Sequence, residues 1–108
     1  MTHEVFITGM AQRDLIDIYD YIAANDSPEA ADYVYENIEN VIHGLREFPE
    51  RGVCPMEFKE SGVSGFRETF FKPYRIIYEV EGPAVYVYLV ADGRRNMAAL
   101  LQRRLLSE

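Results

Sequence analysis

FRETFFKPYRIIYEVEGPAVYVYLV, residues 66–90, holds three short runs rich in β-branched and aromatic residues: Phe66 to Phe71, Tyr74 to Val80 and Val85 to Val90. They are separated at Lys72-Pro73 and at Glu81-Gly82-Pro83-Ala84. Proline withholds a ladder donor and glycine opens turn conformations, so both breaks read as turns. The stretch is therefore expected to fold as an antiparallel meander of three strands.

Toward the N-terminus the periodicity becomes helical. Ser27-Pro28-Glu29 combines a capping hydroxyl, a ring that presets the backbone angle and an acid facing the helix dipole. Ala31, Val34, Ile38, Val41, Ile42 and Leu45 then mark one apolar face, and Pro49 is expected to stop the helix near Phe48. An earlier helix spans Met10 to Ala24, capped by Thr8, with Ala11, Leu15, Ile18, Tyr19 and Ile22 on its stripe. Arg13, Asp14, Asp17 and Asp20 fall off that stripe, and Asn25-Asp26 breaks the pattern. Glu4 to Ile7 reads as a strand, and residues 49–64, with Pro49, Gly52, Pro55 and Gly62, as a connector. Beyond the meander, Asn96 caps a short helix with Met97, Leu100, Leu101 and Leu105 on one side and Arg103 and Arg104 in its last turn. That helix is expected to pack on the sheet.

The order is β-α-α-β-β-β-α. It predicts an α+β domain over 1–108 in which a helical hairpin packs on a small, mainly antiparallel sheet. The first strand must join by a long crossover, and its neighbour is left open.

With 48% hydrophobic residues in 108, one modest core is affordable, and no run of eighteen apolar residues suggests a membrane span. The start, Met1 to Ile7, lacks the basic end and apolar stretch of a leader, and Cys54 is the single cysteine. These points lead us to expect a cytoplasmic protein. The formal charge of −7 divides unevenly. Residues 1–60 hold thirteen acids and four Lys/Arg, a net of −9, and residues 61–108 hold five and seven, a net of +2. Contact with nucleic acid would have to run through the second half alone, so the asymmetry favours protein partners.

Chemistry-bearing residues are sparse. His3 and His43 stand on different elements without Cys or Glu at ligand spacing, so both are expected on the surface and no metal site is predicted. Gly62-Val63-Ser64-Gly65 reads as a turn entering a strand rather than a nucleophile elbow, and Cys54 as an incidental thiol. Asp14, Asp17 and Asp20 read as a solvated outer face. Arg67 and Arg75, within strands, and Arg94 and Arg95, at the last strand-to-helix junction, allow two readings. They form one anion- or carboxylate-binding surface, or each is salt-bridged at home through Glu68, Glu79 or Asp92. Phe70, Phe71, Tyr86 and Tyr88 offer either a partner-binding surface or core.

Gly65-Phe66-Arg67-Glu68, Tyr74-Arg75-Ile76-Ile77-Tyr78, Val85 to Val90, Gly93-Arg94-Arg95-Asn96, Leu100-Leu101 and Arg104-Leu105 follow one another in the second half. The first half carries Ala11, Asp14-Leu15, Tyr21-Ile22-Ala23, Ala30-Ala31, Leu45 and Phe48-Pro49. This succession resembles the ParE toxins of the RelE/ParE superfamily over nearly the whole chain. The resemblance implies a compact β-α-α-β-β-β core and a co-produced ParD-like antitoxin that wraps and silences it in a higher-order hetero-oligomer. DNA would be touched only indirectly, through that antitoxin.

The target divides the superfamily. RelE-like members cut messenger RNA on the ribosome, whereas ParE-like members inhibit DNA gyrase without a known catalytic centre. Arg75 and Arg95 match two family arginines, but Leu101 stands at the position of the late tyrosine of the ribonucleases. The connector offers Lys59 alone, between Glu57 and Glu60, and Asp92 stands where other cleaving relatives have histidine. The resemblance therefore points to a gyrase inhibitor with no catalytic residue and no cofactor. Arg67, Arg75, Arg94 and Arg95 are its target-binding candidates, and Phe70, Phe71, Tyr86 and Tyr88 its antitoxin-binding candidates. A ribosome-dependent endonuclease, or an inactive member that only binds its antitoxin, are the alternatives.

Overall fold

A computed structural model describes residues 2–106; Met1, at the head of the start read for a leader, and the last two residues lie outside it. The elements are β1 (Glu4–Ile7), α1 (Gly9–Asn25), α2 (Pro28–His43), β2 (Phe66–Phe71), β3 (Tyr74–Glu81), β4 (Ala84–Asp92) and α3 (Met97–Leu101). A wider helical turn, Gln102–Leu106, continues α3. The three expected caps are formed. Thr8 accepts from the Ala11 amide at 3.2 Å, Ser27 from Ala30 at 3.0 Å and Asn96 from Ala99 at 3.1 Å. Each satisfies an amide that the first helical turn leaves without a partner.

One boundary differs from expectation. Helix α2 ends at His43 rather than near Phe48, and the chain tightens into a 3-10 turn over Gly44–Arg46. Gly44 weakens the helix before Pro49 is reached, and its carbonyl accepts from both Glu47 and Phe48.

The four strands lie in the order β1-β4-β3-β2. The meander is antiparallel, and β1 joins it beside β4 in parallel, with Val5 opposite Val85 and Ile7 opposite Val87. The sheet is therefore mixed, and β4 has a strand on either side. Its sequence, Ala84-Val85-Tyr86-Val87-Tyr88-Leu89-Val90-Ala91, is the near-continuous apolar run that a strand covered on both faces requires.

Side-chain parity sorts the core into two layers. Ile76, Tyr78, Val85, Val87 and Val90 meet Ala11, Leu15, Ile38, Ile42 and Leu45 of the helical side. On the opposite face Ile77, Leu89 and Ala91 meet Met97, Leu100 and Leu101 of α3 and Phe58 of the connector. The final helix thus packs on the sheet, as expected. Between the pairs Ile77–Leu89 and Tyr78–Val87 the register slips, leaving Tyr88 without an opposite residue. This bulge reverses the strand's phase and lets odd-numbered Val87 and even-numbered Val90 share one face. Among the described residues no helix is long and apolar enough to cross a membrane.

Candidate functional site

The four arginines do not converge. Arg67 lies opposite Tyr78, on the face of the helical hairpin, while Arg75 lies opposite Phe70, on the other face. Arg67 donates through Nη1 to the carbonyls of Glu50, at 3.1 Å, and Gly52, at 2.8 Å. Its cross-strand neighbour Tyr78 donates from its hydroxyl to the Pro49 carbonyl at 2.7 Å and accepts from the Gly52 amide at 2.9 Å. The pair pins the connector to the sheet. Gly52 is required there, because a Cβ would stand 2.5 Å from the Tyr78 hydroxyl and 2.6 Å from the Glu68 carbonyl.

Arg75 is held between two carboxylates. Its Nε donates to Glu68 Oε1 at 2.6 Å, and its two terminal nitrogens donate to Glu57 at 2.9 and 2.7 Å. Glu68 is only 5% exposed, so its charge depends on this partner. The bond to Glu57, partly offset by burial, raises Arg75 above its ordinary range, and the same bond lowers Glu57. For Arg75 the domestic reading is the observed one, with Glu68 as foreseen and Glu57 added from the connector.

Arg94 and Arg95 are the two that the structure brings together. Arg94 is 80% exposed and folds back on Asp92, which accepts from its backbone amide and side chain. That bond lowers Asp92 and raises Arg94. Arg95 is exposed and makes no side-chain hydrogen bond or ion pair among the described residues. Both line a groove of about 470 Å³ between α1 and the end of β4, with Asp14, Asp17, Tyr21 and Tyr74.

Asp14 corrects the expectation of a solvated acidic face. It receives both terminal nitrogens of Arg104 at 2.9 Å and the Val90 amide at 3.0 Å, while Arg104 also donates to the Tyr88 carbonyl. Strand β1 stops at Ile7, so β4 beyond Val87 has no strand on that side, and these two side chains take its place. Asp17 and Asp20 are exposed, as expected.

The histidines come closer than the sequence implied. His3 is half-buried and His43 exposed, and both line a groove of about 760 Å³ between β1 and the end of α2, with Glu39 and Arg46. Among the described residues no three His, Cys, Asp or Glu side chains are placed to hold a metal ion.

The aromatic candidates divide between the faces. Phe71 packs on the hairpin side against Tyr33, with ring centroids 6.1 Å apart. Phe70, 45% exposed, lies with Arg75 on the other face. Tyr86 and Tyr88 are half-buried there, stacked at 6.5 Å, and continue into Phe6 and Phe66. Phe6 and Phe66 were not foreseen. Their alternation in β1 and β2 was legible, but which ring lies beside Tyr86 depends on the strand order.

Comparison with known proteins agrees with this architecture. A family model described as "ParE toxin of type II toxin-antitoxin system, parDE" matches residues 5–97. Toxin ParE3 of Caulobacter vibrioides is 29% identical over 100 residues, covering 93% of this chain and 96% of that protein. Among solved structures, the chromosomal ParDE system of P. aeruginosa superposes with a TM-score of 0.71 at 22% identity, over 84% of this chain and 96% of that one. A doubly arginine-substituted E. coli toxin RelE in the free state gives 0.66 at 15% identity, over 98% and 100%. The RelBE2 toxin–antitoxin complex of Mycobacterium tuberculosis gives 0.58 at 21%, over 85% and 99%. At these identities the structural likenesses speak for the fold.

Proposed function

The chain belongs to the ParE toxin family of type II toxin–antitoxin systems, and on that premise we propose that it inhibits DNA gyrase and is silenced by a ParD-like antitoxin. The observation that carries the choice of target is the commitment of Arg75. This arginine matches a position used by the messenger-cleaving relatives, and here Glu57 and Glu68 already neutralise its guanidinium. Leu101, at the position of their late tyrosine, is 1% exposed and apolar. A cleavage site needs groups that move protons and steady developing charge. With Arg75 neutralised and an apolar side chain at the late position, a protein that blocks its target by binding is the better account.

Arg94 and Arg95, beside the groove of α1 and β4, form the target-facing surface in this reading. Arg67 and Arg75 contribute by holding the connector and the sheet in shape. The chain acts in the cytoplasm as one RelE/ParE-like domain, within a hetero-oligomer whose DNA contacts come from the antitoxin. Its own charge of −7 supports that division of labour. Induced expression in cells, followed with labelled DNA and protein precursors, tests the target. Early arrest of DNA synthesis, relieved by co-expressing the product of the adjacent gene, is expected. Early arrest of protein synthesis would move the function to the ribosome, and no arrest would leave an inactive antitoxin-binding member.

A further inference from the structure

Helix α3 covers only part of the sheet face that it shares with the connector. It rests on Ile77, Leu89 and Ala91, toward the end of β4. Toward the start of β4 the rings of Phe6 and Tyr86 stack at 5.4 Å, and Tyr86 stacks on Tyr88 at 6.5 Å. Phe6 is 42% exposed, and both tyrosines are half-buried. The register sets Glu4, Ala84 and Glu81 in one row and Phe6, Tyr86 and Glu79 in the next. Three carboxylates therefore share the face of the rings, and those two rows include no cation. The Tyr88 hydroxyl donates to Glu79 at 3.1 Å, which ties that acid to the rings.

We propose that this acidic aromatic strip seats a cationic, amphipathic segment of the antitoxin. Its apolar side chains lie on the rings, and its lysines or arginines face Glu4, Glu79 and Glu81. The inference rests on the toxin–antitoxin reading above and adds where, and by what chemistry, the partner is held. Charge selects the occupant. A second copy of this chain would bring its own three carboxylates and its own charge of −7, and a nucleic acid would bring phosphates. A basic segment is attracted by the acids and gains cation–π contact with the half-exposed rings. Stacking already fixes those rings, so docking costs them little conformational freedom.

The test is a calorimetric titration of the full chain with the product of the adjacent gene, at about 50 and about 300 mM salt. Phe6→Ala and Tyr86→Ala should each weaken binding about tenfold. The double variant Glu4→Gln with Glu81→Gln removes two exposed charges that make no ion pair among the described residues, so it should fold as the wild type does. It should weaken binding several-fold at low salt and flatten the salt dependence, a change that loss of packing alone would not produce. Ile16→Ser, on the exposed outer side of α1, should bind as the wild type does. Wild-type affinity and salt dependence in the Glu double variant would overturn the proposal while leaving the toxin–antitoxin reading intact. An Ile16→Ser defect equal to those of the strip variants would do the same. Absence of binding by the wild type would remove both.

Discussion

Asp14 of α1 and Arg104, in the turn that follows α3, meet around the open edge of β4, with both terminal nitrogens of the arginine on the carboxylate at 2.9 Å. The two belong to opposite faces of the sheet. Asp14 also takes the Val90 amide and Arg104 the Tyr88 carbonyl, so the pair finishes a ladder that β1 leaves incomplete. Both side chains are about one-seventh exposed, which leaves little water to replace either partner.

Removing either member strands the other and one backbone group, the Val90 amide when Asp14 is lost and the Tyr88 carbonyl when Arg104 is lost. Asp14→Ala and Arg104→Ala should each cost about 2–3 kcal/mol in urea unfolding. The double variant should cost less than their sum, because they share one interaction. Additive losses would show that the two side chains act separately.

The connector is pinned through Gly52 and Tyr78. Gly52→Ala forces a methyl group against the Tyr78 hydroxyl and the Glu68 carbonyl, and should destabilise by about 2–3 kcal/mol. Tyr78→Phe keeps the ring but leaves the Gly52 amide and the Pro49 carbonyl unpaired, and should cost about 1–2 kcal/mol. Thermal unfolding of both variants checks the order.

The four arginines should separate by experiment. Arg75→Ala leaves Glu68 buried without its cation and should destabilise by about 3 kcal/mol or more. Arg94→Ala with Arg95→Ala touches exposed side chains and should leave the melting temperature close to that of the wild type. The double variant should nonetheless relieve growth inhibition. Full toxicity of a folded Arg94/Arg95 variant would remove these residues from the target-facing surface.

Stability should depend on pH through Glu57. Its bond to Arg75 lowers it from an ordinary value of 4.5, so the folded state binds its proton less readily than the unfolded chain. The stabilisation is present above 4.5 and is lost as pH falls below it, through the lowered folded-state value. The difference in melting temperature between the wild type and Glu57→Gln should therefore be constant from neutral pH to about 5 and shrink below that. A difference that persists in acid would mean that the charge of Glu57 is not what matters.

The elements were legible because their signals are local. Thr8, Ser27 and Asn96 cap the helices they precede, and the breaks at Pro73 and Gly82 fall between strands. What stayed hidden depends on distant chain. The neighbour of β1 is fixed by a crossover through two helices, and Asp14 adjoins the stripe of Ala11, Leu15 and Ile18 in a way that matters only once β4 lies beneath it. The bulge at Tyr88 interrupts an alternation that reads as continuous, and the partner of Arg75 comes from Glu57 in an irregular connector. The two arginines at the β4–α3 junction were found as a pair because they are adjacent in sequence. Arg67 and Arg75 separate because the register places them on opposite faces.

The most direct test of the proposed target is a supercoiling assay with purified gyrase and purified protein, run with and without the product of the adjacent gene. Inhibition by the protein alone, with trapped cleavage complexes and full recovery once the adjacent product is added, is the predicted result. Unimpaired supercoiling at protein concentrations well above the enzyme's, together with cleavage of messenger RNA on programmed ribosomes, would contradict it.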